Sequence, residues 1–339
     1  MSSIETISIV SALLVSVVAP ALVRPLLTRL GVIDIPNERS SHTRPILRGV
    51  GLAPLAAIAV GLGIALVGAA TRTDSWMITI ILGVSLAAAL LGWIEDARGL
   101  PVKARAGSQL LIGFLGVSLA VVLTGEQWWL VPILGVGIAG YTNVANFMDG
   151  INGISGLHGG GVGALFALTG ALTGTSWMTV SGLVVAVAFL GFLPWNLGRG
   201  GMFLGDVGSY LLGASVSVIA ALAVIEGVPI LAVVGPLAIY LADSGVTLVR
   251  RILRGEPWYE AHRTHVYQRL TDTGLSHVRV ALIVSVATLA TGLAGLIAVW
   301  TPSFWPLSAG LVVVIALSYL CLGRLATRSK SAPAARKAN

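Results

Sequence analysis

From Ile7 to Val23 the sequence carries no charged side chain, and ten further apolar runs follow, each set off by a short polar connection. A helix needs about 20 apolar residues to cross the hydrocarbon core of a bilayer. This repetition constrains the fold more than any motif does. We read eleven spans, at roughly 5–23, 50–70, 76–94, 106–123, 128–143, 157–173, 177–195, 207–225, 228–249, 278–299 and 304–323. The fold class is therefore all-α, a polytopic membrane protein. The first run is long for a signal segment and no A-x-A-like cleavage site follows it, so it reads as a retained span. Composition agrees: 10% of residues are charged, against about a quarter in a soluble domain.

Basic residues give the orientation, because cytoplasmic loops hold the Lys and Arg. With the N-terminus outside, 20 of the 21 basic residues fall on inner segments, and only Arg72 falls outside. The first inner segment holds Arg24, Arg29, Arg39, Arg44 and Arg48. The net charge of +7 then reflects membrane topology and does not point to nucleic acid. Trp76, Trp128, Trp129, Trp177 and Trp300 lie at the outer ends, where interfacial aromatics belong. Residues 1–323 read as one integral membrane domain. Residues 324–339 are small, polar and basic, and read as a disordered cytoplasmic tail against an anionic leaflet. A single cysteine, Cys321, excludes an intrachain disulfide and a cysteine metal cluster.

Four polar clusters fall on the inner side. In GWIEDARGLPVKAR, Glu95 and Asp96 close the third span, and Lys103 and Arg105 precede the fourth; adjacent carboxylates suit a nearby cation. In NVANFMDGINGISG, Asn143, Asn146 and Asp149 recur at i, i+3 and i+6, near one helical face. Gly150 and Gly153 then break the helix and let backbone N–H groups approach a ligand. A plain turn needs about two to five residues, so fourteen exceed what a connection requires. In GRGGMFLGDVGSYLLG, Asp206 precedes a span. It reads as an ordinary N-cap, or as a metal ligand beside a phosphate at a helix N-terminus. In RRILRGEPWYEAHRTHVYQRL, His262, Arg263 and His265 suit phosphate oxygens. Positive-inside topology explains the arginines there but not the histidines. Asp243, inside the ninth span, reads either as functional or as paired with Arg250 seven residues on.

Carboxylates without cysteine suit Mg²⁺, or Mn²⁺, rather than zinc. A divalent ion beside cationic side chains is equipment for a diphosphate substrate, and the membrane supplies a lipid as the other. The residues alone lead to Mg²⁺-dependent phosphoryl transfer at the cytoplasmic surface.

In this order, the clusters resemble the signatures of the polyprenyl-phosphate N-acetylhexosamine-1-phosphate transferases, glycosyltransferase family 4, over nearly the whole chain. The loop GVIDIPNERSSHTRP at 31–45 adds to the likeness. The resemblance implies ten or eleven spans and a bacterial inner-membrane enzyme with its site facing the cytoplasm. It also implies a reaction. Undecaprenyl phosphate attacks the β-phosphorus of a UDP-N-acetylhexosamine, giving a lipid-diphosphate-linked sugar and UMP. On that pattern Asp206 is the metal ligand, and Glu95, Asp96 and Asp149 form the catalytic acidic set. Asn143, Asn146, Lys103, His262, Arg263 and His265 then bind substrate. The family carries Asp-Asp where this chain has Glu95-Asp96; the extra methylene shifts a carboxylate, so the essential role falls to Asp96. The HRTHVYQRL loop resembles the O-antigen-initiating branch more than the peptidoglycan translocase. That favours a GlcNAc donor or a 6-deoxy relative such as FucNAc or QuiNAc, feeding lipopolysaccharide or another envelope polysaccharide.

Two other readings compete. A transporter or flippase of an anionic lipid-linked sugar would place its polar groups near the bilayer midplane, in broken helices. A family member inactivated through Glu95 would form no product. The sequence leaves the oligomeric state open, a homodimer included.

Overall fold

The computed structural model describes residues 2–34, 46–198, 202–257 and 263–336, apart from the side chains of 33, 34, 46 and 325–336. The chain is almost wholly helical. Its helices are α1 (Ser3–Leu30), α2 (Leu52–Val67), α3 (Arg72–Arg98), α4 (Val102–Thr124), α5 (Leu130–Met148), α6 (Ile154–Thr173) and α7 (Ser176–Leu197). They continue as α8 (Gly205–Ile225), α9 (Ile230–Val234), α10 (Ala238–Leu253), α11 (Val266–Asp272), α12 (His277–Trp300) and α13 (Trp305–Arg336). Helix underlies each of the eleven apolar runs. Among the described residues, nine helical segments are long and apolar enough to cross a membrane unaided. The two runs outside that set are α2, which has 16 residues, and the glycine-rich α6.

The ninth run differs from the continuous span expected. α9 ends at Val234, a 3₁₀ turn occupies Gly235–Leu237, and α10 resumes at Ala238. Pro236 lies in that turn; it has no N–H to give to the helical ladder and clashes with the preceding turn. One further feature falls outside the all-helical reading. Strands β1 (Ile33–Asp34) and β2 (Ile46–Leu47) pair antiparallel, Ile33 opposite Leu47 and Asp34 opposite Ile46. Helix α13 also continues to Arg336, past the boundary at 323 where the polar tail was drawn.

α8 is the axis of the bundle: 94% of its apolar window is buried, against 22% for α1. It packs on α3, α5 and α4. Small residues bring the backbones close, as membrane helices require. A Cβ at Gly92 on α3 would collide with the Asp206 carbonyl at the start of α8. A Cβ at Gly163 on α6 would lie 2.6 Å from the Gly182 carbonyl oxygen on α7. The outer faces carry large apolar side chains with nothing over them, such as Leu14, Leu22, Leu115, Val286 and Val314. Lipid is the solvent that fits such a surface. Some hydroxyls inside the bundle bond across helices; the Ser8 hydroxyl donates to the Gly61 carbonyl at 2.6 Å.

Candidate active site at the N-terminal end of α8

The site starts from a helix that needs a cap. The first N–H groups of α8 have no partner within the helix. Asp96, in the last turn of α3, supplies one: its Oδ1 accepts the Asp206 N–H at 3.0 Å and its Oδ2 accepts the Val207 N–H at 2.9 Å. This approach depends on Gly205, whose φ of +73° disfavours any side chain and whose Cβ would lie 2.6 Å from Asp96 Oδ2. Asp206 is therefore not a plain N-cap. Its own N–H is capped by Asp96, and its carboxylate points elsewhere.

Arg48 joins the two carboxylates. Its Nε lies 2.7 Å from Asp96 Oδ1, and its Nη2 donates to Asp206 Oδ2 at 2.7 Å. Backbone pairing fixes this arginine. Phe203 N–H donates to the Leu47 carbonyl, while Val50 and Gly51 N–H donate to Phe203 and Leu204. On the other side Arg48 N–H donates to the Val32 carbonyl. The third partner of Asp206 is Asn146, near the end of α5: its Nδ2 donates to Oδ1 at 2.7 Å and to the Ser209 hydroxyl at 3.0 Å.

Asp149 follows α5 as its C-cap, and Ser155 Oγ donates to its Oδ1 at 2.5 Å. Burial raises its pKa to about 7, helped by the negative charges of Asp206 and Asp96 and opposed by the Ser155 hydrogen bond and Arg48. The folded value lies above the unfolded one. The stability gained by keeping this proton is complete below about pH 4 and is lost as the pH rises through 7. Without divalent ions, Asp149→Asn should melt with the wild type at pH 4 and several degrees above it at pH 8. The ceiling on that gain is about 4 kcal/mol. Equal melting at pH 8 would show that the burial of Asp149 carries no cost.

The expected residues divide between several settings. Asp96, Asn146 and Asp206 meet, with Asp149 within electrostatic reach. Glu95 turns away: its Oε1 lies 3.0 Å from Arg105 Nη1 at the start of α4. Its pair is a local one, so Glu95→Asp should keep turnover within about tenfold of wild type; a larger loss would place Glu95 in the reacting cluster. Asn143 does not share a wall with Asn146 and Asp149. It donates to the Gln109 side chain on α4 and to the Ala139 carbonyl. Lys103 is exposed at the start of α4. His262 lies outside the described residues. Arg263 Nη2 lies 3.2 Å from Asp272.

His265 is buried and belongs to a second cluster, built on Asp243. That carboxylate meets His265 Nδ1 at 3.1 Å and accepts the Val266 N–H at 2.9 Å, the Tyr267 N–H at 3.3 Å and the Tyr319 hydroxyl at 2.7 Å. Asp243 thus binds α10, α11 and α13 together, a structural role met by other partners than Arg250, the one the sequence offered for such a role. Tyr267 ties this cluster to the first, its hydroxyl donating to the Phe147 carbonyl at 3.0 Å. Gly150 is needed for that contact, since a Cβ there would strike the Tyr267 hydroxyl. The Gly153 N–H is taken by Asn196 Oδ1. Both glycines therefore serve close protein packing, where the sequence suggested approach to a ligand.

Sequence reasoning missed the roles of Arg48, Gln109, Ser155 and Tyr267. Arg48 was counted only as a topological charge, although the glycines at 49 and 51 around it signal close backbone packing.

Three carboxylates cluster at this end of α8. Asp96, Asp149 and Asp206 lie within electrostatic reach of one another, with Arg48 as the cation among them. Among the described residues no three His, Cys, Asp or Glu side chains form a set that holds a metal alone. Mg²⁺ binds through one or two carboxylates and takes its other oxygens from water and phosphate, so Asp206 and Asp149 are the residues that could hold it.

Residues 78–224 match the family described as Glycosyl transferase family 4. That stretch covers α3 to α8 with Asp96, Asn146, Asp149 and Asp206; Arg48 and the Asp243 cluster lie outside it. A probable undecaprenyl-phosphate N-acetylglucosaminyl 1-phosphate transferase of Bacillus subtilis (strain 168) is 28% identical over 303 residues, 81% of this chain and 79% of that protein. The decaprenyl-phosphate N-acetylglucosaminephosphotransferase of Mycobacterium tuberculosis (strain ATCC 25618 / H37Rv) is 27% identical over 321 residues, 81% of this chain and 77% of its own. A phospho-N-acetylmuramoyl-pentapeptide-transferase of Clostridium botulinum (strain Eklund 17B / Type B) is 27% identical over 202 residues, 57% of each chain. The capped α8 terminus and its carboxylates lie inside the matched stretch, so the similarity to glycosyl transferase family 4 covers the part of the chain that holds the site.

Proposed function

We propose that the protein transfers a sugar 1-phosphate from a nucleotide donor onto a polyprenyl phosphate, undecaprenyl phosphate in the first instance. The observation that carries this is the Asp206 carboxylate, held between Arg48 and Asn146 at the capped end of α8 within the matched family stretch. A lipid phosphate oxygen forms a bond to the β-phosphorus of the donor, the bond to the α-phosphate oxygen breaks, and UMP leaves with those electrons.

Asp206, with Asp149 beside it, would hold Mg²⁺ or Mn²⁺, which neutralises diphosphate charge when bound. The chain's own residues do the rest. Arg48 and Asn146 fix the direction of Asp206. Asp96 sets the start of α8 and so the height of Asp206. A lipid phosphate is largely ionised at neutral pH and needs little help from a base, which favours this positioning role for Asp96 over proton removal. Arg263, part-exposed just before α11, would offer donors to phosphate oxygens, and His265 would hold that segment in place through Asp243.

UDP-N-acetylglucosamine is the donor we place first, because two relatives that match over 81% of this chain are named for N-acetylglucosamine. A 6-deoxy N-acetylhexosamine comes next. The product would start O-antigen or another envelope polysaccharide. The site faces the cytoplasm of the inner membrane, with the N-terminus outside. The contacts among Arg48, Asp96 and Asp206 support this, because the three inner segments they join each carry arginine.

Purified protein with Mg²⁺, undecaprenyl phosphate and a panel of radiolabelled UDP-sugars, UDP-MurNAc-pentapeptide included, tests the reading. Lipid-linked label with an N-acetylhexosamine is expected. Label from the pentapeptide donor alone would make this a peptidoglycan translocase. No product with any donor would favour a transporter, for which the broken ninth span and buried Asp243 are the supporting features.

A further inference from the structure

Ser155 sits in the first turn of α6, is 3% exposed, and gives its hydroxyl proton to Asp149 Oδ1 at 2.5 Å. That is an unusual use of a helical hydroxyl in this bundle. Ser215 donates to the Leu211 carbonyl and Ser217 to the Gly213 carbonyl, each one turn back and each at 2.6 Å. The neighbouring Tyr240 hydroxyl gives its own proton to the Ile154 carbonyl at 3.3 Å, and the serine proton goes to the carboxylate. We infer, on the metal-binding reading above, that Ser155 is a positioning residue: it holds Asp149 Oδ1 so that Oδ2 is turned toward a divalent cation shared with Asp206.

Three observations support this role. The first is that the backbone around Asp149 is already fixed. Tyr267 donates to the Phe147 carbonyl at 3.0 Å, in space that Gly150 leaves open, and Asn196 takes the Gly153 N–H. What remains free is rotation of the side chain, and the last torsion of an aspartate has broad minima. A hydrogen bond to one oxygen removes that freedom.

The second is that the two oxygens of Asp149 differ. Oδ1 has Ser155, while Oδ2 has no hydrogen bond among the described residues and is not sealed in the interior. Asp149 itself is half-buried, and the charges of Asp206 and Arg48 reach it. The third is the wall behind Ser155. Tyr240 stacks on His158, with ring centroids 3.5 Å apart and planes 8° apart, and His158 Nε2 lies 2.8 Å from the Tyr141 hydroxyl. All three rings are buried. They come from α5, α6 and α10, so Ser155 rests on packed helices rather than on a loop. Carboxylates that hold a metal are themselves held by such hydrogen bonds, and losing the partner costs about 10–100-fold in metal affinity or activity.

Manganese binding to the full chain in detergent, with neither donor nor lipid acceptor present, is followed by loss of the free-ion EPR signal. The wild type is expected to bind Mn²⁺, and Ser155→Ala to bind it at least about tenfold more weakly, with a metal-free melting curve close to the wild type. Ser155→Thr keeps the hydroxyl and should bind close to the wild type. In turnover, Ser155→Ala should need at least about tenfold more Mg²⁺ for half-maximal rate and approach the wild-type kcat once Mg²⁺ saturates. Asp206→Asn separates the two readings. Weakened Mn²⁺ binding in Asp206→Asn with unchanged binding in Ser155→Ala would overturn the role of Ser155 and leave the metal site standing. Unchanged binding in both variants, or none in the wild type, would remove the metal site and the role of Ser155 with it. Binding by Ser155→Thr as weak as by Ser155→Ala would show that packing, and not the hydroxyl, sets the affinity, and would equally overturn the role.

Discussion

Asp206→Asn is expected to lose at least about a hundredfold in turnover while still folding, the size of effect seen when one preorganised charge contact is removed from a reacting centre. The reasoning is a count of lone pairs. Asp206 offers an oxygen to Arg48 on one side and an oxygen to Asn146 on the other. An asparagine can satisfy only one of them and must turn an N–H₂ group toward the other donor. The charge that Arg48 faces is also gone. Stability should fall by about 1–3 kcal/mol, the cost of leaving a buried donor without its acceptor. Turnover with the donor identified by the sugar panel, together with a melting curve, checks both numbers. Turnover near the wild-type value would remove Asp206 from the chemistry.

Asp96→Asn should be as severe in turnover and more severe in stability, for a different reason. Both Asp96 oxygens receive backbone N–H groups of α8, and Oδ1 also meets Arg48. The amide again sets N–H against N–H, this time at the start of the most buried helix. Arg48 is left with one carboxylate where it had two. If Asp96 acts by positioning, the variant's melting temperature drops and the shape of its pH–rate profile is unchanged. A wild-type melting temperature with an altered pH profile would mean that Asp96 takes a proton from the substrate.

The helices were legible because each apolar run carries its own signal; burial in lipid needs only length and composition. The break at Gly235–Leu237 was also within reach, since Pro236 sits inside the run, but the run's apolar character hides it. The site was legible in part. Asp96, Asn146 and Asp206 fall inside dense polar clusters, which stand out against an apolar background. Arg48 did not stand out, because its charge is what a membrane loop requires anyway. Its role rests on backbone pairing with residues 203 and 204, more than 150 positions away, and no local pattern encodes that. Asn143 misled for a related reason. Helical spacing put it near the face of Asn146, but α4 brings Gln109 to it, and a tertiary neighbour decides where an amide turns. The same holds for Gly150: its sequence context suggests a phosphate-binding turn, and Tyr267, supplied by a helix far along the chain, fills the space.

The Asp243 hub has a consequence for how the protein is made. Its partners lie at 265, 266, 267 and 319, all downstream. Chains emerge from the N-terminus, so the ninth span reaches the membrane before the groups that satisfy its carboxylate exist. A lone aspartate at the centre of a membrane helix costs about 2.5–3.5 kcal/mol on insertion scales, and part of that cost remains until the final span supplies Tyr319. The last helix therefore acts as a latch. A nascent chain that stops short of it keeps a half-satisfied acid inside the bilayer, a flaw by which an unfinished chain differs from a finished one.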